Sequence, residues 1–260
     1  MYITSDGILR MEEKLVIIAK DEFIDEAKEI AKHLNIELKE SAMDKELYLK
    51  LDEKGLSLNY EELEMYGDLT SMARRLKKDN LSHEFIVKAS KIKGANNPIT
   101  ILDATAGMGE DSLLLAAAGF EVDLYEYNPV IAALLRDSLK RAAAEPSMAD
   151  IVSRMVLHEE DSIKAMEKLE YSPDVVVLDP MFPERQKSAS VKKKFQLLQK
   201  LECPCATEEE LFNAAKKCNP RKIVIKRPLK GAFLDGKKPD YSLEGKAIRY
   251  DVFVFSYKAD

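Results

Sequence analysis

The chain has 260 residues, 46% of them hydrophobic and 33% charged. That is enough for one large α/β domain plus a small appendage, with no need of covalent staples. No run approaches the roughly 18 to 20 uncharged apolar residues of a membrane span, and the opening MYITSDGILRMEEKL lacks the apolar stretch of a secretory signal, so a cytoplasmic chain without membrane attachment is expected. A net charge of −6 excludes a uniformly basic coat for nucleic acid, which leaves that role to local clusters. The three cysteines, Cys203, Cys205 and Cys218, are odd in number and wrongly spaced for a zinc site, so neither a disulfide framework nor a metal is expected.

In chain order, LVIIA before Lys20 reads as an apolar strand. DEFIDEAKEIAKHL reads as an amphipathic helix with Phe23, Ile24, Ala27, Ile30, Ala31 and Leu34 on its apolar face, and NIELKE as another short strand. Strands follow at 46–51 and 56–59 across a turn at Glu53-Lys54-Gly55, and a linker is expected near residues 60–68. This makes a small N-terminal α/β subdomain, residues 1–62, ahead of a main domain, residues 63–260. Residues 69–93 are helical in composition, broken around Asp79-Asn80, with Ser82 available as an N-cap for a second helix. After Asn96-Asn97-Pro98, strand and helix patterns alternate to the end, which predicts a mostly parallel, Rossmann-like sheet with helices on both faces. The last strand, from Arg249 to Tyr257, is expected at an antiparallel edge.

Asp103-Ala-Thr-Ala-Gly107-Met-Gly109-Glu110-Asp111 follows the strand at 99–102 and precedes a helix, the position at which doubly wound sheets bind ligands. The glycines let the backbone approach a ligand, but Ser112 stands where a dinucleotide fingerprint wants a third glycine. The acids Asp103 and Asp111 would repel a pyrophosphate and suit the sulfonium and amino group of S-adenosylmethionine. The next strand ends in Glu126-Tyr127-Asn-Pro, where Glu126 can accept from a ribose diol, and the one after ends in Asp161-Ser162, where an adenine edge would lie.

The segment that narrows the chemistry is Asp179-Pro180-Met-Phe182-Pro after the strand at 173–178. An exocyclic base amine is a poor nucleophile. Accepting its two hydrogens at the Asp179 carboxylate and the Pro180 carbonyl would aim the nitrogen, and Phe182 offers a face for an unstacked base. Arg185, Lys187, Lys192, Lys193 and Lys194 form a basic run just beyond, and Lys226-Arg227, at the end of the following strand, are expected on the same side as further phosphate contacts.

With DATAGMGED (103–111), YEYNP (125–129), EDS (160–162), DPMFP (179–183), QKSASVKKK (186–194) and VIKRP (224–228) in this order, the chain resembles the RsmJ family of small-subunit ribosomal RNA guanine-N2 methyltransferases over roughly residues 66–255. The resemblance implies a class I S-adenosylmethionine-dependent fold with a seven-stranded sheet, a ribosomal RNA or small-subunit substrate, and cofactor contacts at Glu110, Asp111, Glu126, Tyr127, Asp161, Ser162 and Asp179. Glu110 and Tyr127 stand where it leads one to expect basic residues. Two other readings stay open: an amino-methyltransferase acting on DNA, another RNA or a protein amide, and a noncatalytic RNA-binding assembly factor on the same fold.

Overall fold

The computed structural model describes residues 15–43, 46–95, 98–180, 201 and 207–255, which form two compact units. The first contains the described residues within 15–68 and 128–141 and residue 201, and the second those within 69–127, 142–180 and 207–255.

The first unit is a five-stranded sheet in the order β2-β1-β3-β4-β5. Its strands are β1 (Leu15–Ala19), β2 (Glu37–Lys39), β3 (Leu47–Asp52), β4 (Gly55–Tyr60) and β5 (Leu63–Tyr66). β1 runs parallel to β2 and β3, which helix α1 (Ile24–Leu34) makes possible by returning the chain, and β3, β4 and β5 form an antiparallel meander. In α1, Ala27 and Ala31 are buried one turn apart, acids occupy the first turn, and Asn35 ends the helix in the left-handed region at φ 54°. β5 lies where the linker is expected. Leu63 and Met65 alternate with Glu62 and Glu64, a period-two pattern too short and too acidic to stand out, and pairing with β4 buries Met65 to 1% exposure. The first part of helix α5 (Pro129–Ala144) also belongs here: Asp137 accepts from the Leu56 N–H at 3.0 Å and from Arg141 Nε at 2.9 Å, and Arg141 also donates to the Gly67 carbonyl.

The second unit opens on a 3-10 turn at Leu69–Arg74 and the short helices α2 (Lys78–Leu81) and α3 (Phe85–Ser90). Ser82, expected to start a helix, instead closes α2, its hydroxyl donating to the Asp79 carbonyl, and Glu84 precedes α3 in extended conformation. The large sheet comprises β6 (Thr100–Asp103), β7 (Glu121–Tyr125), β8 (Met155–His158), β9 (Val175–Leu178), β10 (Lys222–Pro228), β11 (Tyr241–Glu244) and β12 (Ile248–Val254), in the order β11-β12-β10-β9-β6-β7-β8. β8, β7, β6, β9 and β10 are parallel, and β12 is antiparallel to both neighbours. β12 is therefore not the edge: the polar four-residue β11 hydrogen-bonds along it.

Strand alternation divides the core. Leu102, Ala104, Val176, Leu178, Ile223 and Ile225 pack with Ala165 and Met166 of α7 (Ser162–Met166) and with Leu211, Phe212, Ala214 and Ala215 of α8 (Glu208–Lys217). The opposite parity carries Asp103, Val177, Val224 and Lys226. Helix α4 (Glu110–Ala117), which supplies Asp111 to that side, buries Ser112, Leu113, Leu114, Leu115 and Ala116, and α6 (Ala149–Val152) packs against it. From β6 the chain moves outward to β7 and β8, then returns to β9 on the other side of β6. The carboxyl ends of β6 and β9 thus flank a topological switch point, the place at which doubly wound sheets form their ligand cleft.

Candidate active site

The loop after β6 is shaped by backbone needs. Gly107 and Gly109 have φ of 54° and 74°, and Gly109 leads into α4, whose first turn carries Glu110 and Asp111. Asp103 lies beneath the loop at 3% exposure, accepting from the Thr105 N–H at 3.1 Å and from the Ser112 hydroxyl at 2.5 Å. Burial, reinforced by Asp111 and Asp179, pushes its carboxyl up to about 6 despite the two hydrogen bonds. Asp103 therefore shapes the loop from within, and Asp111 on the first turn of α4 is more open and pairs with Lys226.

Glu126, at the end of β7, accepts from the Gly107 N–H at 3.0 Å, which ties the glycine loop to the next strand end. Its own N–H donates to the His158 carbonyl of β8 at 3.1 Å. Behind this junction His158 stacks on Tyr125 with ring centroids 4.5 Å apart, and its Nε2 lies 2.7 Å from Asp123, which also accepts from Tyr171. Tyr127 is exposed. Asp161 caps α7 by accepting from the Ile163 N–H at 3.0 Å, and Ser162 is buried in the first helical turn. Capping uses one Asp161 oxygen, while 39% of the side chain stays open.

Asp179 leaves β9 on the same side as Asp103 and Asp111. Its N–H donates to the Thr105 hydroxyl at 2.6 Å, a link that no feature of the sequence announces. The carboxylate is recessed, yet 42% of its side-chain surface is exposed. Desolvation raises its pKa against the downward pull of Lys226. Pro180 follows, half-buried. Phe182, Arg185, Lys187, Lys192, Lys193 and Lys194 lie outside the described residues.

Lys226 and Arg227 do not form the joint phosphate contact expected of them. Adjacent strand residues face opposite ways. Lys226 points to the cleft, with Nζ 2.8 Å from Asp111 Oδ2 and 2.9 Å from Asp179 Oδ2. Arg227 points to the α8 side, 4% exposed, where it pairs with Glu208 at 3.1 Å and donates to the Ala232 carbonyl. Its guanidinium holds the loop after β10 and has no face for a phosphate.

Asp103, Asp111, Glu126, Asp161 and Asp179 thus gather around four parallel strand ends, with two positive-φ glycines in the loop between them. This carboxylate-rich cradle fits a cationic cofactor with a ribose diol and opposes a pyrophosphate. The family profile described as "Putative SAM-dependent methyltransferase" matches residues 29–255. The chain is 40% identical over 223 residues to ribosomal RNA small subunit methyltransferase J of Stutzerimonas stutzeri, covering 83% of this chain and 86% of that protein. It is 36% identical over 245 residues to the protein of the same name in Thioalkalivibrio sulfidiphilus, covering 91% and 95%. A crystal structure of a SAM-dependent methyltransferase from Neisseria gonorrhoeae superposes with a TM-score of 0.73 at 29% identity, covering 94% of this chain and 97% of that one. The fold is that of the class I methyltransferases, the cofactor is S-adenosylmethionine, and the chain belongs to the ribosomal RNA small subunit methyltransferase J family.

Proposed function

We propose that this enzyme methylates the exocyclic N2 amine of a guanosine in small-subunit ribosomal RNA. The names of its relatives support the RNA. The observation that carries the amine is Asp179, a carboxylate held at the end of β9 by Thr105 and Lys226, opening into the cleft and followed by Pro180. When bound, S-adenosylmethionine supplies an electrophilic methyl group on a sulfonium sulfur. Asp179 and the Pro180 carbonyl accept the two amine hydrogens, orient the nitrogen lone pair and favour its pyramidal form, and Asp179 receives the proton that the nitrogen sheds. Positioning and charge account for the catalysis, with no covalent enzyme intermediate.

In this reading Glu126 accepts from the ribose, Asp161 and Ser162 meet the adenine edge, and Asp111, above the buried Asp103, faces the cationic end. Glu110 and Tyr127 line the rim of the same cleft, and Gly107 and Gly109 let the backbone approach. Phe182 stacks on the target base, and Arg185, Lys187, Lys192, Lys193 and Lys194 contact phosphates. The expected boundary at 62/63 would split the β4-β5 pair, so we place the start of the methyltransferase domain at residue 69, with the residues before it as an accessory α/β subdomain. The enzyme works in the cytoplasm, where ribosomes are made. Among the described residues no helix is long and apolar enough to cross a membrane.

The test is transfer of labelled methyl to small ribosomal subunits, naked ribosomal RNA and DNA, with nucleoside mass spectrometry of the product. N2-methylguanosine in small-subunit RNA is expected, and Asp179→Ala should abolish transfer while RNA affinity persists. Label confined to DNA or protein, or none at all despite cofactor binding, refutes the reading.

A further inference from the structure

We propose that Lys226 is a positioning residue of the methyl-transfer site, an ammonium that ties Asp111 to Asp179 and leaves the second Asp179 oxygen for the target amine. The inference rests on the proposed function only for what Asp179 does, since the geometry stands by itself. Lys226 comes from β10, Asp111 from α4 and Asp179 from the end of β9, and one Nζ lies 2.8 Å and 2.9 Å from the two Oδ2 atoms. A lysine that meets RNA phosphates keeps its ammonium toward solvent. Here only 26% of the side chain is exposed, and both partners are carboxylates of the cleft. With Oδ2 claimed by Lys226 and the Asp179 N–H fixed to Thr105, Oδ1 has no other polar partner among the described residues.

The surroundings explain why a cation is needed there. Asp111 from α4 acts on Asp179 as a like charge and favours its protonation, while Asp179 in turn raises the buried Asp103 of β6. Arg227, on the opposite face of β10, pulls the other way more weakly than Lys226. Tyr250 of β12 stands beside Lys226 in the strand register, and burial with the nearby Asp111 keeps its phenol neutral. Arg75, bonded to Glu84, completes the charges near Asp111. Lys226 is itself desolvated, but Asp111 and Asp179 outweigh that and hold it protonated. A protonated Asp179 is a weaker acceptor and cannot take the proton that the nitrogen sheds, so the lysine keeps the carboxylate in its working form.

The decisive measurement needs no RNA. Carboxyl carbon titration of the full-length enzyme by NMR, with the Asp179 resonance identified through Asp179→Asn, would compare wild type with Lys226→Met, Lys226→Gln and Lys226→Arg. The two neutral variants guard against one failing to fold. The Asp179 midpoint should rise by roughly one pH unit or more in both neutral variants, the scale on which a neighbouring opposite charge acts, and stay near wild type in Lys226→Arg. Transfer assays should then show kcat lowered on the acid side, about tenfold for each pH unit by which the midpoint has risen, and recovering as pH rises, with KM for RNA within about twofold. An unmoved midpoint in the folded neutral variants overturns the proposal. So does a raised RNA KM with a salt dependence shallower by about one charge, which would return Lys226 to phosphate binding. Absence of methyl transfer in wild type would refute the proposed function and leave the carboxyl titration intact as the test of Lys226.

Discussion

Replacing Asp103 with asparagine exposes how the site trades stability for charge. The carboxyl is buried and its pKa is raised from the ordinary 3.8 to about 6, chiefly by desolvation. A group whose folded pKa is raised stabilises the protein below its unfolded value and loses that contribution as pH rises through its folded value. The window is therefore pH 4 to 6. A rise of roughly two pH units, at about 1.4 kcal/mol each, gives roughly 3 kcal/mol of stability lost by wild type across it. Asparagine can still accept from the Thr105 N–H and can donate to the Ser112 hydroxyl, which rotates to receive it. Asp103→Asn should match wild type near pH 4 and exceed it by about 2 to 3 kcal/mol at pH 7.5, while binding S-adenosylmethionine more weakly because a negative charge beneath the loop is gone. Urea unfolding of both proteins at half-unit steps from pH 4 to 8 isolates the effect in the difference curve, since groups away from the site titrate alike in both. A flat difference, or one that favours wild type increasingly with pH, would refute the assignment of Asp103 as a desolvated, destabilising carboxylate.

Three further substitutions separate the roles of other residues. Glu126→Gln weakens the charge-assisted bond from the Gly107 N–H and the proposed ribose contact together, so calorimetry should show cofactor affinity reduced about tenfold to a hundredfold with little change in melting temperature. Arg227→Met removes two of the donors on the Ala232 carbonyl and takes the cation from Glu208, so denaturation should show a loss of about 2 kcal/mol, with the salt dependence of RNA binding unchanged. A reduced salt slope would show that Arg227 meets phosphate after all. Asp137→Ala breaks the bonds to the Leu56 N–H and to Arg141, so the first unit should lose about 2 kcal/mol and hydrogen exchange should quicken in β4. Protection unchanged in β4 would count against α5 as its anchor.

The elements that carry the site were legible because their signals are local. β9 is a run of four apolar residues bounded by Asp174 and Asp179, and the glycine loop lies between a strand and a helix, so the order of strand ends and the acids on them could be read directly. Acidic and polar composition hid β5 and β11, both of which form by pairing with a neighbour. Ser82 looked like an N-cap because serine suits both ends of a short turn, and only the backbone angles distinguish them. The faces of Lys226 and Arg227 were partly within reach, since period-two alternation already forbids two adjacent strand residues from sharing a face.

By itself the sequence determined the alternating α/β pattern, the order of the acids on the strand ends and the placing of Asp179-Pro180 directly after β9, because periodicity, glycine conformations and proline restriction act over a few residues. The tertiary structure decided what those groups touch. Lys226 meets Asp111 across 115 residues of chain, Asp179 meets Thr105 across 74, and the first part of α5 joins the N-terminal sheet. Such pairings depend on strand order and register, which are fixed by burial of the whole sheet, and no local pattern contains them.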